Sequence, residues 1–251
     1  MIDEGKIYGN CTITLIYKLR KNMKKILIVM ISSIFLSSAA LAGQYGVGVT
    51  GSFAAIAAEG TEVDKAGSAD TSVREATAGH NVIIPSAFAE YSMDNGFTLG
   101  FDYVIGSADV NRKKLSRTDT TADANEAVQD DGKSTAQAEI ENVMSVYAEL
   151  PLHAGLYAMA GYVHMDVNTT ETSAITTRAT YGNETVEGIT YGLGYKNSFG
   201  TNGFYKIQGS YIDMDGMTFN DSNTASGAAG GNRITADLDV TKATLAIGYN
   251  F

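Results

Sequence analysis

The last eleven residues of the chain alternate between two kinds of side chain. Counted back from the C-terminus, one row is apolar and the other is small or polar throughout. The apolar row comprises Phe251, Tyr249, Ile247, Leu245 and Ala243, and the opposite row comprises Asn250, Gly248, Ala246, Thr244 and Lys242. A period of two residues is that of a β-strand with two unlike faces. The pattern therefore predicts an amphipathic strand at the end of the chain.

Seven further segments carry the same alternation, which predicts eight strands in all. They span residues 44–57, 80–92, 97–108, 139–150, 156–168, 185–197, 203–214 and 236–251. The connections contain 22, 4, 30, 5, 16, 5 and 21 residues, so long and short ones alternate throughout. Short turns on one side and long loops on the other are typical of an up-and-down transmembrane barrel. With an even number of strands, both termini fall on the short-turn side, which is periplasmic in such barrels.

The charges distinguish a membrane barrel from a soluble one. In each predicted strand one row is free of charge, for example Tyr45 to Phe53 in the first strand and Tyr157 to Met165 in the fifth. The opposite rows carry Glu90, Asp102, Glu141, Glu149, His164, Asp166, Lys196, Lys206 and Lys242 among Gly, Ser, Thr and Ala. A soluble barrel shows the reverse, with bulky apolar residues inside. We therefore predict that the charged rows face the lumen and the apolar rows face lipid.

The lumen charges allow two interpretations. In the first, the acids pair with Lys196, Lys206 and Lys242 and form a salt-bridged plug, because unpaired buried charges are costly. In the second, the charges line a narrow polar pore. Eight strands enclose an interior that side chains can just fill, which favours the plug. The many small inward residues of the first, sixth and eighth strands, such as Gly48, Gly194 and Gly248, leave room for water and favour the pore.

The N-terminal region has a different composition. Lys24 and Lys25 precede an apolar run over residues 26–36, and Ala40-Leu41-Ala42 follows. A basic start, an apolar core and an Ala-x-Ala site predict a secretory signal peptide over residues 23–42, cleaved before Gly43. Residues 1–22 do not belong to such a signal, and we interpret them as an extension from a start codon assigned too early.

The predicted mature domain, residues 43–251, is strongly acidic. Removal of residues 1–42 takes away six basic and two acidic side chains, so the net charge changes from −10 to −14. This charge argues against a nucleic-acid partner. The single cysteine, Cys11, lies in the segment that is removed.

The signal peptide, the strand pattern and the terminal Phe251 make the chain resemble small outer-membrane proteins: the OmpA transmembrane domain, the OmpW group and the opacity-type adhesins. The resemblance covers residue 42 to the end and rests on no subgroup motif. It implies an all-β, eight-stranded antiparallel up-and-down transmembrane β-barrel in a Gram-negative outer membrane. Lipid and lipopolysaccharide would be its neighbours, and the barrel-assembly machinery and periplasmic chaperones its partners. The insertion signal would comprise Leu245, Ile247, Tyr249 and Phe251.

We expect a non-enzymatic barrel with a structural or surface-interaction role, the alternative being a narrow porin-like channel for small solutes or ions. His164, Asp166 and Ser210 are residue types of a hydrolase triad, but nothing positions an oxyanion hole. Gly46-Val-Gly48-Val-Thr-Gly51 matches the dinucleotide pattern but lies inside a strand. The acidic run at 213–221 lacks the closing ligands of a calcium loop, so we expect no metal and no cofactor.

Membrane insertion should depend on Phe251. Deleting Phe251, or replacing it with Asp, should leave the protein in the periplasm and prone to degradation, because the last strand would neither be recognised nor close the barrel. Fractionation followed by immunoblotting measures this outcome. An unchanged yield in the outer membrane would show that the last strand carries no such signal.

Overall fold

The computed structural model describes residues 43–66, 69–110, 115–121, 130–173, 181–220 and 233–251. The predicted signal peptide, including Ala40 and Ala42, lies outside these ranges, and so does Asp221. In the described part of the chain, no helix is long and apolar enough to cross a membrane.

Eleven strands form one sheet. They are β1 (Gly43–Ala66), β2 (Ala69–Met93), β3 (Thr98–Val104), β4 (Ala108–Asp109), β5 (Leu115–Thr121), β6 (Asp130–Pro151), β7 (Leu156–Ser173), β8 (Glu184–Phe199), β9 (Gly203–Met214), β10 (Met217–Asn220) and β11 (Arg233–Asn250). Eight of them form a ring in the order β1, β2, β3, β6, β7, β8, β9 and β11, while β4 and β5 pair with β6, and β10 pairs with β11. The predicted eight-stranded antiparallel barrel is thereby confirmed. Most strands extend beyond their predicted bounds at the long-loop end.

The ring closes between the two ends of the described chain. β1 and β11 pair in antiparallel register from Gly46 and Asn250 to Val63 and Arg233. Beside the terminus, the Phe251 N–H donates to the Tyr45 carbonyl at 2.8 Å. Because the hydrocarbon core of a bilayer offers no partner to backbone N–H and C=O groups, closure is what allows these strands to cross it.

The side-chain pattern inverts along the barrel axis. The outward row of β11 is apolar from Tyr249 to Ala243 and polar or charged from Thr241 to Arg233. Its inward row changes in the opposite sense, from small or polar residues near the terminus to the buried Val240 and Leu238. The lower barrel, at the short-turn end, therefore has a lipid-facing surface. The upper barrel has a polar surface around an apolar interior, as in a water-soluble protein.

An apolar cluster fills the upper barrel, and we call it the upper core. It draws on nearly every strand of the ring, and its buried members are Ala54, Ile56, Val110, Ile140, Val163, Met165, Val167, Val186, Ile212, Met214, Met217, Phe219, Leu238 and Val240. The prediction that the charged rows face the lumen and the apolar rows face lipid therefore does not extend to this upper part, where the interior is apolar. Hydrophobic burial stabilises the upper core as it does in any protein surrounded by water.

β7 faces the opposite way from the prediction. Tyr157, Met159 and Met165 point inward and are buried. His164 and Asp166 lie on the outer face, where Asp166 accepts hydrogen bonds from the Asn142 amide at 2.9 Å and the Thr185 hydroxyl at 2.8 Å. The prediction that His164 and Asp166 face the lumen is therefore wrong. Tyr157, in the row predicted to face lipid, likewise lies inside the barrel.

The physical reason is that both rows of β7 are apolar in the lower barrel. The outward row there contains Leu156 and Tyr162, and the first charged residues appear only above them, where the outer face is polar. A β-bulge in β6 explains a second wrong prediction, that Glu141 faces the lumen. The register shifts between Glu141 and Met144, beside Asn142 with its φ of 52°, so Glu141 lies opposite Asp166 on the outer face.

Four inward glycines make room for four aromatic rings in the lower barrel. A Cβ at these positions would overlap the ring that lies against each glycine: Phe88 at Gly48, Tyr147 at Gly100, Tyr157 at Gly194 and Phe204 at Gly248. Space that the sequence pattern leaves open for water is therefore filled with aromatic side chains at these four sites. Gly100, Gly194 and Gly248 are the direct cross-strand partners of their rings. A narrow barrel can hold such large groups only where the adjacent strand has no side chain in their way.

We predict that Gly248→Ala destabilises the barrel by about 1–3 kcal/mol, because the added methyl group would displace the Phe204 ring from a filled interior. Gly209→Ala is the matched control, since Gly209 lies on the outer face with open space around its Cβ position. Urea unfolding in micelles, followed by the loss of fast migration on unheated SDS gels, compares the two variants. Equal stability of both would contradict the packing of Phe204 against Gly248.

Candidate functional site

Four charged side chains from four strands meet in the lower lumen. The Lys196 ammonium donates to one carboxylate oxygen of Glu90, and the Lys206 ammonium donates to the other. Lys206 also donates to Oε1 of Glu149 at 2.5 Å. The order is thus Lys196, Glu90, Lys206, Glu149, with alternating signs, and we call this arrangement the ionic chain.

The strand register explains why these charges need each other. Lys196 on β8 and Lys206 on β9 lie directly opposite one another in neighbouring strands. Two ammonium groups in that position repel each other. Glu90 reaches them from β2, on the far side of the ring, and accepts from both. The ionic chain therefore crosses the lumen instead of following its wall.

Aromatic rings enclose the centre of the ionic chain. The Lys206 nitrogen lies 5.2 Å from the ring centroid of Phe88, 5.5 Å from Tyr147, 5.8 Å from Tyr157 and 5.9 Å from Phe204. The Lys196 nitrogen lies 4.4 Å from the Phe204 centroid. Each such contact contributes about 0.5–2 kcal/mol when the cation is shielded from water. Lys206, Glu90 and Glu149 are all nearly inaccessible to solvent.

Asp102 and Lys242 also face the lumen but do not join the ionic chain. Asp102 accepts a hydrogen bond from the Ser86 hydroxyl at 2.5 Å, and Ser86 is in turn bonded to Thr50. Among the described residues, neither Asp102 nor Lys242 has an oppositely charged group within 4.0 Å. Of the eight charged residues proposed as a lumen network, the structure thus joins four, leaves two apart in the lumen and puts His164 and Asp166 outside.

The ionic chain lies between two cavities. Above it is a small cavity of about 60 Å³ lined mostly by polar residues and rings, including Asp102, Ser145, Thr190, Gln208 and Lys242. Below it an open pocket of about 360 Å³ extends to the short turns, and we call this pocket the vestibule. Glu149 lines both the upper cavity and the vestibule, whereas Lys196 lines only the vestibule of these two.

The geometry does not support the alternative chemistry considered from the sequence. Ser210 is buried on the inner face, while His164 and Asp166 are on the outer face, so these three residues cannot act together. The glycine-rich segment Gly46–Gly51 lies within β1, with no helix after it. Within the described ranges, no group of three or more His, Cys, Asp or Glu residues is arranged to hold a metal ion.

No protein-family model and no curated protein sequence matches the chain. Among solved structures, the chain is similar to the outer membrane protein OprG from Pseudomonas aeruginosa, at 12% identity over 84% of this chain and 96% of that one, with a TM-score of 0.48. It is also similar to the outer membrane protease OmpT from Escherichia coli, at 10% identity, 86% and 100% coverage and a TM-score of 0.46. A third similar structure is that of neisserial surface protein A, at 12% identity over 82% of this chain and 97% of that one, with a TM-score of 0.36.

These similarities concern the fold. The chain's own closed ring of eight strands and the apolar outer surface of its lower half are those of an outer-membrane β-barrel. The chain is accordingly a protein of the bacterial outer membrane.

The aromatic part of the site was not predicted from the sequence, although a signal was present. On three strands an inward aromatic residue stands two positions before an inward charge: Phe88 before Glu90, Tyr147 before Glu149 and Phe204 before Lys206. A spacing of two puts both side chains on one face of a strand. Three repeats of this pattern could have indicated a shared cluster of rings and charges.

We predict that Lys206→Met destabilises the barrel by about 3–5 kcal/mol, because Glu149 would lose its ionic partner while remaining buried. Lys242→Met is the matched control, since it removes a lumen ammonium that has no ionic partner within 4.0 Å among the described residues. Urea unfolding of both variants in the same micelles is the measurement. A loss of stability no larger in Lys206→Met than in Lys242→Met would show that the ionic chain does not stabilise the barrel.

Proposed function

We propose that this protein is a non-enzymatic outer-membrane barrel with a structural or surface-interaction role, and that its lumen is closed at rest. Lipid and lipopolysaccharide surround its lower half. The barrel-assembly machinery and periplasmic chaperones deliver it to the membrane, with the row from Leu245 to Phe251 as the insertion signal. The exposure of Leu245, Ile247, Tyr249 and Phe251 on the outer face supports this role, because a recognition signal must be accessible.

One observation carries the proposal: the ionic chain crosses the lumen and is enclosed by four rings. Lys206 is 4% exposed, Glu90 4% and Glu149 3%, so little space for water remains around these three members of the ionic chain. The upper core adds a second obstruction of purely apolar side chains. Hydrated ions cannot pass a constriction of this kind unless side chains move.

A non-enzymatic role is supported by the separation of the candidate catalytic residues. The two faces of the wall keep Ser210 apart from His164 and Asp166. Lys206 is paired with both Glu90 and Glu149, so these three buried charges are held in ion pairs. Groups that hold each other in this way stabilise a structure and are not free to transfer protons to a substrate.

The second candidate function is a narrow channel for small solutes or ions. The observation that favours it is the pair of spaces on either side of the ionic chain: the cavity above it, to which polar side chains such as Asp102 and Lys242 contribute, and the open vestibule below it. Breaking the ion pairs of Lys206 would connect the upper cavity with the vestibule. In this case the ionic chain is a gate, and openings are small and brief because the pairs re-form readily.

Planar-bilayer recording tests both candidates. We predict that the wild-type protein shows no steady conductance, and that Lys206→Gln shifts any conductance towards cations, because Glu90 and Glu149 then lose a neutralising charge. The measurement is the reversal potential under a salt gradient. Arg233→Gln is the control, since it removes one positive charge from the exposed outer face.

A large, steady conductance in the wild type would refute the closed lumen. Brief openings in the wild type, together with the cation shift in Lys206→Gln, would favour the channel. A shift towards anions would show that Lys206 does not line the path. The absence of conductance in every variant would favour the structural or surface-interaction role.

A further inference from the structure

The ionic chain has two ends, and both lie at the vestibule. Its two inner members are fully engaged, since Glu90 accepts from two lysines and Lys206 donates to two glutamates. Its outer members are Lys196, which is positive, and Glu149, which is negative. Both line the vestibule, which opens at the short-turn end. The vestibule therefore offers one charge of each sign from the same chain of ion pairs.

Each end has bonding capacity left over. The Lys196 ammonium donates to Glu90 and, over a long 3.4 Å, to the Ser92 hydroxyl. An ammonium group has three N–H donors, so one has no oxygen or nitrogen acceptor among the described residues, and only the Phe204 ring lies near the ammonium group besides. The side chain of Lys196 is 23% exposed, while that of Glu90 is fully covered. Lys196 is thus the accessible cation of the ionic chain.

Glu149, at the negative end of the ionic chain, has an acceptor left over. Its Oε1 accepts from Lys206, and no described residue donates to its second carboxylate oxygen. A carboxylate can accept about four hydrogen bonds, so this oxygen can take a donor from a ligand. Lys196 and Glu149 do not pair with each other, yet they are close enough to interact electrostatically.

We propose that the vestibule binds a small zwitterion of the α-amino-acid class. The ligand's carboxylate would accept from Lys196 and its ammonium would donate to Glu149, which closes the open chain of four charges into a ring of six. A ligand with a single charge could satisfy only one end. A zwitterion also leaves the balance of two positive and two negative charges unchanged, so its binding adds no uncompensated charge beside the buried Glu90, Lys206 and Glu149.

The size and lining of the vestibule suit such a ligand. Its volume of about 360 Å³ is at the lower end of the range for small-molecule pockets, which is about 300–1,000 Å³. Pro151, Leu152 and Leu156 form an apolar side that can receive a short aliphatic side chain. Gln44, Ser198 and Asn250 provide further hydrogen-bonding groups. Because short turns of these barrels face the periplasm, the ligand would come from that side.

The test compares three probes on the protein purified in micelles: leucine, leucinamide, which lacks the negative charge, and N-acetylleucine, which lacks the positive one. Saturation-transfer NMR titrations give the dissociation constants. We expect about 1–10 mM for leucine, as for a small ligand held by the partly exposed Lys196 and the largely buried Glu149, and at least about tenfold weaker binding for each analogue.

Two variants assign the contacts. Lys196→Gln should abolish the preference for leucine over leucinamide, and Glu149→Gln should abolish the preference for leucine over N-acetylleucine. Lys242→Gln and Asp102→Asn are the matched controls, because they remove lumen charges that do not line the vestibule, and leucine binding should be unchanged. Fast migration on unheated SDS gels verifies that each variant is folded. The comparison of probes on the wild type needs no variant at all.

Equal binding of the three probes, or no saturation by leucine at about 50 mM, would overturn the proposal. The same holds if the control variants weaken leucine binding as much as Lys196→Gln does. These outcomes bear on the vestibule alone, since a barrel with a closed lumen can exist with or without a ligand below the ionic chain.

Discussion

The contact between Lys206 and its two carboxylates determines how the lower lumen is organised. Lys206 is nearly inaccessible to water, so its charge has to be neutralised by neighbours, and Glu90 and Glu149 do so from other strands of the ring. Lys196 then shares Glu90, which relieves the repulsion between two lysines that face each other on adjacent strands. The ionic chain thus ties together β2, β6, β8 and β9, strands that are not all neighbours in the ring.

The rings and glycines follow from the same requirement. A narrow lumen without bulk water needs large side chains around the buried charges, and aromatic rings combine volume with favourable contacts to an ammonium group. Their size is accommodated by glycines such as Gly48 and Gly248. Higher up, the barrel emerges into water and the requirement reverses, so the interior is apolar and the outer face is charged. One set of strands therefore meets two different surroundings along its length.

The fold could be predicted from the sequence because strand alternation and turn lengths are local properties. All eight strands of the ring overlap predicted segments. The inward positions of Glu90, Glu149, Lys196 and Lys206 agree with the predicted alternation of inward and outward side chains in their strands. β7 could not be predicted in this way. Both its rows are apolar in the lower barrel, and the charges of His164 and Asp166 mark the upper, water-exposed wall. A rule that assigns the charged row to the lumen fails where a strand continues beyond the membrane.

The choice of partners within the lumen could not be predicted either, because it depends on how far side chains reach across the ring. The alternation of side chains along a strand puts both Lys242 and Lys206 on the lumen face, yet of these two only Lys206 reaches two carboxylates. Likewise, an inward glycine indicates open space until the ring that fills it is identified on another strand, as Phe204 is at Gly248.

The closed lower lumen depends on the energetic coupling between Lys206 and Glu149, and a double-mutant cycle measures that coupling directly. Unfolding free energies of the wild type, Lys206→Met, Glu149→Gln and the double variant would be determined by urea titration in one micelle system. We expect the double variant to be more stable than the sum of the single effects predicts, with a coupling of about 2–3 kcal/mol, because each single variant leaves a buried partner unsatisfied. Additive effects within about 0.5 kcal/mol would contradict this expectation, since they would mean that the two side chains do not hold the lumen together.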